Sequence, residues 1–342
     1  MCQLIPGGAD PQGPPHHNIA LAHIIQSVPP ATTTLAVTGS LNMDFVVQVE
    51  RLPAPGETAL GHDFRMIPGG KGANQACAAG KLARNARVRM VGRVGYDPFA
   101  DSLKASLAAA GVDVSGVHAT HSQPTGIAEI WVERSGQNSI VVAGGANAEL
   151  SPADIESVHE VYATAAVSLF QLETPLATVE AALRASRNAG ALTVLDPAPA
   201  RPLPASLLSL VDVLTPNETE ACILLGRQPG RVGLTEAREM SQALRALGPK
   251  TVILKLGDQG CLCSDGGTEI ASPGFPVEAV DTTAAGDTFN AALGVALCER
   301  MPLGEALRFA NAAAAISVTR LGAQSSAPSR EEVEAFLSER HQ

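Results

Sequence analysis

The chain has 342 residues, 45% of them hydrophobic and 17% charged, enough apolar material for one large α/β domain or two smaller ones. Its formal net charge of −10 argues against nucleic acid or an acidic membrane surface as partner, while leaving room for a phosphate-bearing ligand held by backbone N–H groups and a cation. The six cysteines form no C-x-x-C pair, the first Lys or Arg is Arg51, and no run reaches the ~18 apolar residues of a membrane span, so a cytoplasmic protein with reduced thiols is expected.

Residues 1 to 33 carry Pro and Gly clusters without a long periodic segment, which predicts a disordered extension. His16, His17 and Cys2 within it match no metal-ligand spacing. From Thr34 the pattern changes. The runs "TLAVTG", "VRMVG", "AVSLFQ", "ALTVLD" and "TVILKL" are short and apolar on both faces, as buried parallel strands are. Helix starts are marked by Ser151-Pro152 with Asp154, by Thr174-Pro175, by Asn217 with Glu220 and by Ser329 with Glu332, and Gly190 and Gly226 stand where helix C-terminal glycines belong. Strands alternating with helices predict a doubly wound, mostly parallel sheet flanked by helices over residues 34 to 338, with ligands beyond the C-terminal strand ends. Segments 44 to 66 and 126 to 145 break this rhythm with partly alternating strands, predicting a small antiparallel β lid.

Familiar nucleotide signatures are missing: Lys71 in "PGGKGANQ" is followed by Gly72 rather than Ser or Thr, and neither G-x-G-x-x-G after a strand nor G-x-S-x-G occurs. Other constellations remain. In "GSLNMD", Asn42 and Asp44 sit one residue apart, so both can project to one side and bind hydroxyls, or simply form a turn. "GGKGANQACAAG" is a glycine turn running into a small-residue helix, with Gly70, Lys71 and Asn74 at its mouth, suited to a close ligand or only to packing. "LFQLETP" ends a buried strand with Glu173, a charge that needs a partner there. Asn217 and Glu220 in "TPNETE" have the spacing of a capping box. In "VDTTAAGDTFNAA", Ala284, Ala285 and Gly286 leave backbone N–H groups uncovered at a helix start, where anions bind, and Asp287 follows as a cap or as a functional carboxylate.

In this order and spacing, together with "DPAPA" (196 to 200) and "TRLGAQSS", these motifs resemble the ribokinase-like members of the PfkB-type carbohydrate kinase family over about residues 34 to 336. The resemblance implies ATP-dependent phosphorylation of D-ribose to D-ribose 5-phosphate, with Asp287 as catalytic base and the N–H groups of Ala284, Ala285 and Gly286 as an anion hole. It likewise implies that Asn42, Asp44, Gly70, Lys71, Asn74 and Glu173 hold the sugar, and that Asn217, Lys255, Gly257, Gly260, Gly286 and Asn311 hold the nucleotide. Glu220 would act on Mg²⁺ through water, and Asp281, Thr283, Ser317, Arg320, Gly322 and Ser326 would surround an activating K⁺. A homodimer through the lid sheet is expected on the same ground. One position departs from the pattern: Lys255 stands where a threonine is common. The rival expectations are a kinase of the same fold for 2-deoxyribose, fructose or a keto-deoxy sugar acid, and a silent sugar-binding regulator, against which the intact Asp287 speaks.

Overall fold

A computed structural model of the chain describes residues 33–134 and 137–340. The expected extension, with Cys2, His16 and His17, lies outside the described residues except for Thr33. The chain runs through β1 (Thr34–Thr38), β2 (Asn42–Val49), β3 (His62–Gly69), α1 (Lys71–Leu82), β4 (Arg87–Gly95), α2 (Pro98–Ala109), β5 (Asp113–Thr120), β6 (Gly126–Glu133) and β7 (Asn138–Ala143). It continues through α3 (Pro152–Ser157), α4 (His159–Ala163), β8 (Ala165–Phe170), α5 (Leu176–Asn188), β9 (Leu192–Leu195), α6 (Ala205–Leu208), β10 (Val213–Leu214), α7 (Glu218–Leu224) and α8 (Leu234–Ala246). The last third holds β11 (Thr251–Lys255), β12 (Cys261–Ser264), β13 (Glu269–Ser272), α9 (Ala285–Cys298), α10 (Leu303–Ser317) and α11 (Arg330–Ser338).

Sheet order among the described residues is β13-β12-β11-β10-β9-β8-β1-β4-β5, parallel from β11 to β5. β1 explains why both faces carry helices. Its Leu35 and Val37 join one apolar cluster and Ala36 the other, so the two-residue alternation of a strand feeds each side of the sheet. The first cluster takes in α1, α2, α9 and α10, and the second lies under the helices from α3 to α8. β12 and β13, of 4 residues each, add an antiparallel edge outside the predicted apolar runs. The capping signals hold: Ser151, Asn217 and Ser329 each close a reciprocal box with the acid three residues on, whereas α5 starts one residue late, with Pro175 as its cap.

A second sheet, β3-β2-β6-β7, contains the two irregular segments and reaches slightly beyond their expected limits at 42 and 69. It is not wholly antiparallel. Its central strands β2 and β6 run parallel, from Asn42 opposite Gly126 to Val49 opposite Glu133, and the two outer pairings are antiparallel. The cause is topological: β2 follows β1 and β6 follows β5, two parallel strands, so both hairpins leave the main sheet from the same edge and in the same direction. Among the described residues no helix is long and apolar enough to cross a membrane, and the five described cysteines are free.

Candidate active site

The chain crosses from one half of the main sheet to the other between β1 and its neighbours β4 and β8, and a doubly wound sheet opens a crevice beyond the strand ends at such a switch. The groups that the sequence marked as candidates lie near those strand ends. Asn42 and Asp44 open β2 just past β1, Glu173 follows β8, Asn217 and Glu220 open α7 past β10, Lys255 ends β11, and Asp287 lies in the first turn of α9. A cavity of about 780 Å³ occupies the crevice, lined by Lys71, Asp196, Glu220, Lys255, Gly286 and Asp287 among others.

Asp287 is 6% exposed and accepts two side-chain amides, Asn74 Nδ2 at 3.2 Å and Gln75 Nε2 at 3.0 Å, both from α1. Burial, with the neighbouring Asp196, pushes its carboxyl up to about 6, against the opposing pull of Lys71, Gln75 and Asn74. The turn before it is strained: Ala284 sits in the left-handed region at φ 57, a conformation that disfavours any residue with a Cβ. Ala284, Ala285 and Gly286 all face the cavity. Ala285 N makes only a long 3.3 Å bond to Thr282 O, which a bound anion oxygen would compete with.

Among the residues expected to hold a sugar, Glu173 has the partners its position demands: Ser40 Oγ donates to its Oε2 at 2.5 Å and Lys71 N donates to the same oxygen at 3.2 Å. Asp44 is pushed up to about 7 by burial, then by the charges of Glu173 and Asp287. Asn74 Oδ1 is buried without a hydrogen-bond partner, so it is left with an acceptor to spare. Asn42 Oδ1 accepts Asn147 Nδ2 at 2.7 Å. The glycines serve the chain itself. A Cβ on Gly72 would stand 2.6 Å from Gly39 C, one on Gly70 2.7 Å from Asn42 N, and one on Gly69 would overlap the Asp44 carboxylate.

Among the residues expected to meet a nucleotide and its cation, Asn217 and Glu220 form a capping box, and the Glu220 carboxyl is raised by burial against the pull of Lys255. For Lys71 and Lys255 burial acts to lower the ammonium, but Asp287 and Asp196 for the first, and Asp196 and Glu220 for the second, outweigh it and raise both. Gly257, Gly260 and Asn311 line the cavity, with the Asn311 amide spent on Ser272 O and Oγ, at 3.1 and 3.0 Å. Asn311 therefore shapes the wall rather than offering a free donor.

Asp281 joins two loops near the helix start: Oδ1 accepts Thr283 N at 2.9 Å and Oδ2 accepts Gly322 N at 2.9 Å. Ser317 and Ser326 satisfy their hydroxyls locally, on Ala314 O and Ala323 O, and the Arg320 guanidinium turns away to Glu332. Of these six residues Asp281 brings the one carboxylate, and both of its oxygens already accept backbone N–H groups. Among the described residues no cluster of three or more His, Cys, Asp or Glu forms a metal cage, and lone Glu220 fits Mg²⁺ as a hydrated ion carried mainly by phosphates.

Sequence reasoning did not single out Gln75, Gln171, Asn147 and Asp196 as site members. Gln75 Nε2 donates both to Asp287 and to Asp196 Oδ2 at 3.1 Å, and Gln171 Nε2 fixes its other end through Gln75 Oε1 at 2.6 Å. The available signal was Gln75 and Gln171 as polar residues inside runs that read as buried, where an amide without a partner is costly.

Over residues 32–330 the sequence matches the pfkB family of carbohydrate kinases. It is 43% identical over 310 residues to the ribokinase of Haemophilus influenzae, covering 89% of this chain and 98% of that relative. A deoxyribokinase of Salmonella typhi is 36% identical over 305 residues, with 89% and 98% covered. Among solved structures, the ribokinase of Arabidopsis thaliana complexed with ribose and ATP superposes with a TM-score of 0.83 at 36% identity, covering 90% of this chain and 99% of that one.

Proposed function

We infer, for a chain that belongs to the pfkB family of carbohydrate kinases, that it transfers the γ-phosphoryl group of ATP to the primary hydroxyl of D-ribose, giving D-ribose 5-phosphate and ADP. The observation that carries this reading is Asp287, a buried carboxylate held by two amides at the mouth of a strained helix start, between a cavity of nucleotide size and a cluster of hydroxyl-binding side chains.

Asp287 accepts the hydroxyl proton as the oxygen attacks phosphorus, and a folded-state value of about 6 leaves it ionised yet basic near neutral pH. Asn42, Asp44, Asn74 and Glu173 hold the sugar so that this hydroxyl faces Asp287, and Lys71 adds a fixed positive charge beside the base. The N–H groups of Ala284, Ala285 and Gly286 take the charge that develops on the phosphoryl oxygens. Asn217, Gly257, Gly260 and Asn311 form the nucleotide side of the cavity. Mg²⁺ placed through water by Glu220 would neutralise phosphate charge, and K⁺ at Asp281, Thr283, Ser317, Arg320, Gly322 and Ser326 would stiffen the two loops beside the anion hole. The four-stranded sheet covers the sugar as a lid, excluding water from the reaction. Its exposed apolar side chains, among them Phe64, Met66, Ile140 and Val141, favour pairing with a second copy of the chain. A monomeric mass by light scattering at micromolar concentration would remove the dimer.

The deciding experiment is ADP release by the purified protein with Mg-ATP and D-ribose, 2-deoxyribose, fructose or adenosine, each with and without K⁺. Selective turnover of ribose, raised by K⁺, is expected. Preference for 2-deoxyribose would move the substrate and keep the chemistry, while ribose binding without turnover on any sugar would leave a silent binding protein.

A further inference from the structure

We propose that Lys255 is a further catalytic residue, an ammonium paired with Asp196 that donates to the oxygens of the transferring phosphoryl group. The proposal rests on the kinase reading above and assigns a role to Lys255, the position at which the sequence departs from its family pattern, and to its partner Asp196.

Lys255 Nζ lies 3.1 Å from Asp196 Oδ1, with the two side chains 11% and 4% exposed. A Cβ built on Gly286 would stand 3.3 Å from the same nitrogen, so the ammonium hangs over the turn whose N–H groups receive the phosphoryl group. Both residues line the nucleotide cavity together with Gly286 and Asp287. An ammonium has three donors, and among the described residues Asp196 is its one hydrogen-bond acceptor, which leaves two N–H groups for a ligand.

A pair with only a structural purpose would be walled off and fully satisfied, because a buried ion pair contributes little unless its remaining hydrogen bonds are met. Here one side is open to the cavity. Departure of Lys255 would not strand its partner either, since Asp196 Oδ2 keeps the 3.1 Å bond from Gln75 Nε2. A polyphosphate offers more negative charge than one carboxylate that already shares an amide. Asp196 serves as the counter-ion that keeps the lysine aimed at the site.

The test is steady-state kinetics on Lys255→Met and on the double variant Lys255→Met/Asp196→Asn, with thermal unfolding measured on each. Loss of a donor aimed at developing charge lowers turnover by about 10²- to 10³-fold, so both variants should be slow by that factor, with KM for ribose close to that of the unaltered protein. The double variant removes both charges and leaves no lone buried ion, so a merely structural pair predicts that it regains full kcat, which would overturn the proposal. A folded double variant that stays slow supports it, even where Lys255→Met alone fails to fold. Unaltered protein without ribose-dependent ADP release would sink the kinase reading itself; normal turnover in that protein and an equally active Lys255→Met would sink only the role of Lys255.

Discussion

Replacing Asp287 by Asn separates catalysis from stability in one residue. Removing a positioned base is expected to lower kcat by about 10²- to 10⁴-fold, which corresponds to roughly 3 to 5 kcal/mol of barrier. The same carboxyl, raised from 3.8 to about 6 mainly by burial, burdens the fold with on the order of 3 kcal/mol once it is ionised. An acid whose folded value is raised imposes no penalty at low pH, where it is protonated in both states. The penalty grows from about pH 4 to about pH 6 and is complete above that. Asn also has only one oxygen for the amides of Asn74 and Gln75, so it leaves one donor poorly matched, a loss of about 1–3 kcal/mol that does not vary with pH. The diagnostic is therefore the slope: urea unfolding from pH 4 to 7.5 should show the variant gaining on the unaltered protein by roughly 3 kcal/mol as pH rises. A stability difference that stays flat with pH, or a variant turning over ribose within about tenfold of normal, would refute the assignment.

Asp44, pushed up to about 7, accepts sugar hydroxyls better when ionised, so KM for ribose should fall as pH rises through 7, and Asp44→Asn should abolish that trend while raising KM about 10- to 100-fold. Gln75→Leu removes the donor shared by Asp287 and Asp196, so the acid limb of kcat/KM should move to higher pH, with a larger loss at pH 6 than at pH 8; parallel losses at both would mean the amide only supports packing. Gly72→Ala places a methyl 2.6 Å from Gly39 C, and urea denaturation should show destabilisation by about 1–3 kcal/mol, with an unchanged midpoint counting against the tight backbone approach.

The parallel sheet was legible because its strands are apolar on both faces and its helices begin with capping pairs, both local signals. The parallel pairing of β2 with β6 was not, since it follows from where two distant hairpins leave the main sheet, and each hairpin alone reads as antiparallel. At the site, Asp287 and the helix start were visible as a small-residue turn before an acid. Gln75 was hidden because its role lies in contacts to Asp196 and Asp287, residues 121 and 212 positions away. Lys255 was readable as a departure from a family pattern and Asp196 as the start of the "DPAPA" run, but only the fold brings them within 3.1 Å.

The helices α1 and α9, which carry the amides and the carboxylate, pack together with alanine-rich buried sides, Ala73 and Ala76 on one and Ala291 and Ala292 on the other. Methyl-sized side chains let helix axes approach closely, so the spacing of this seam sets how far Asn74 and Gln75 stand from Asp287. Bonds of 3.2 and 3.0 Å have only a few tenths of an ångström to give before they weaken. A valine at Ala76 would touch neither sugar nor nucleotide, yet it would detune the base through the gap between two helices. A change along this seam would therefore be felt in turnover through the placement of two amides, although no residue of the seam itself would meet a ligand.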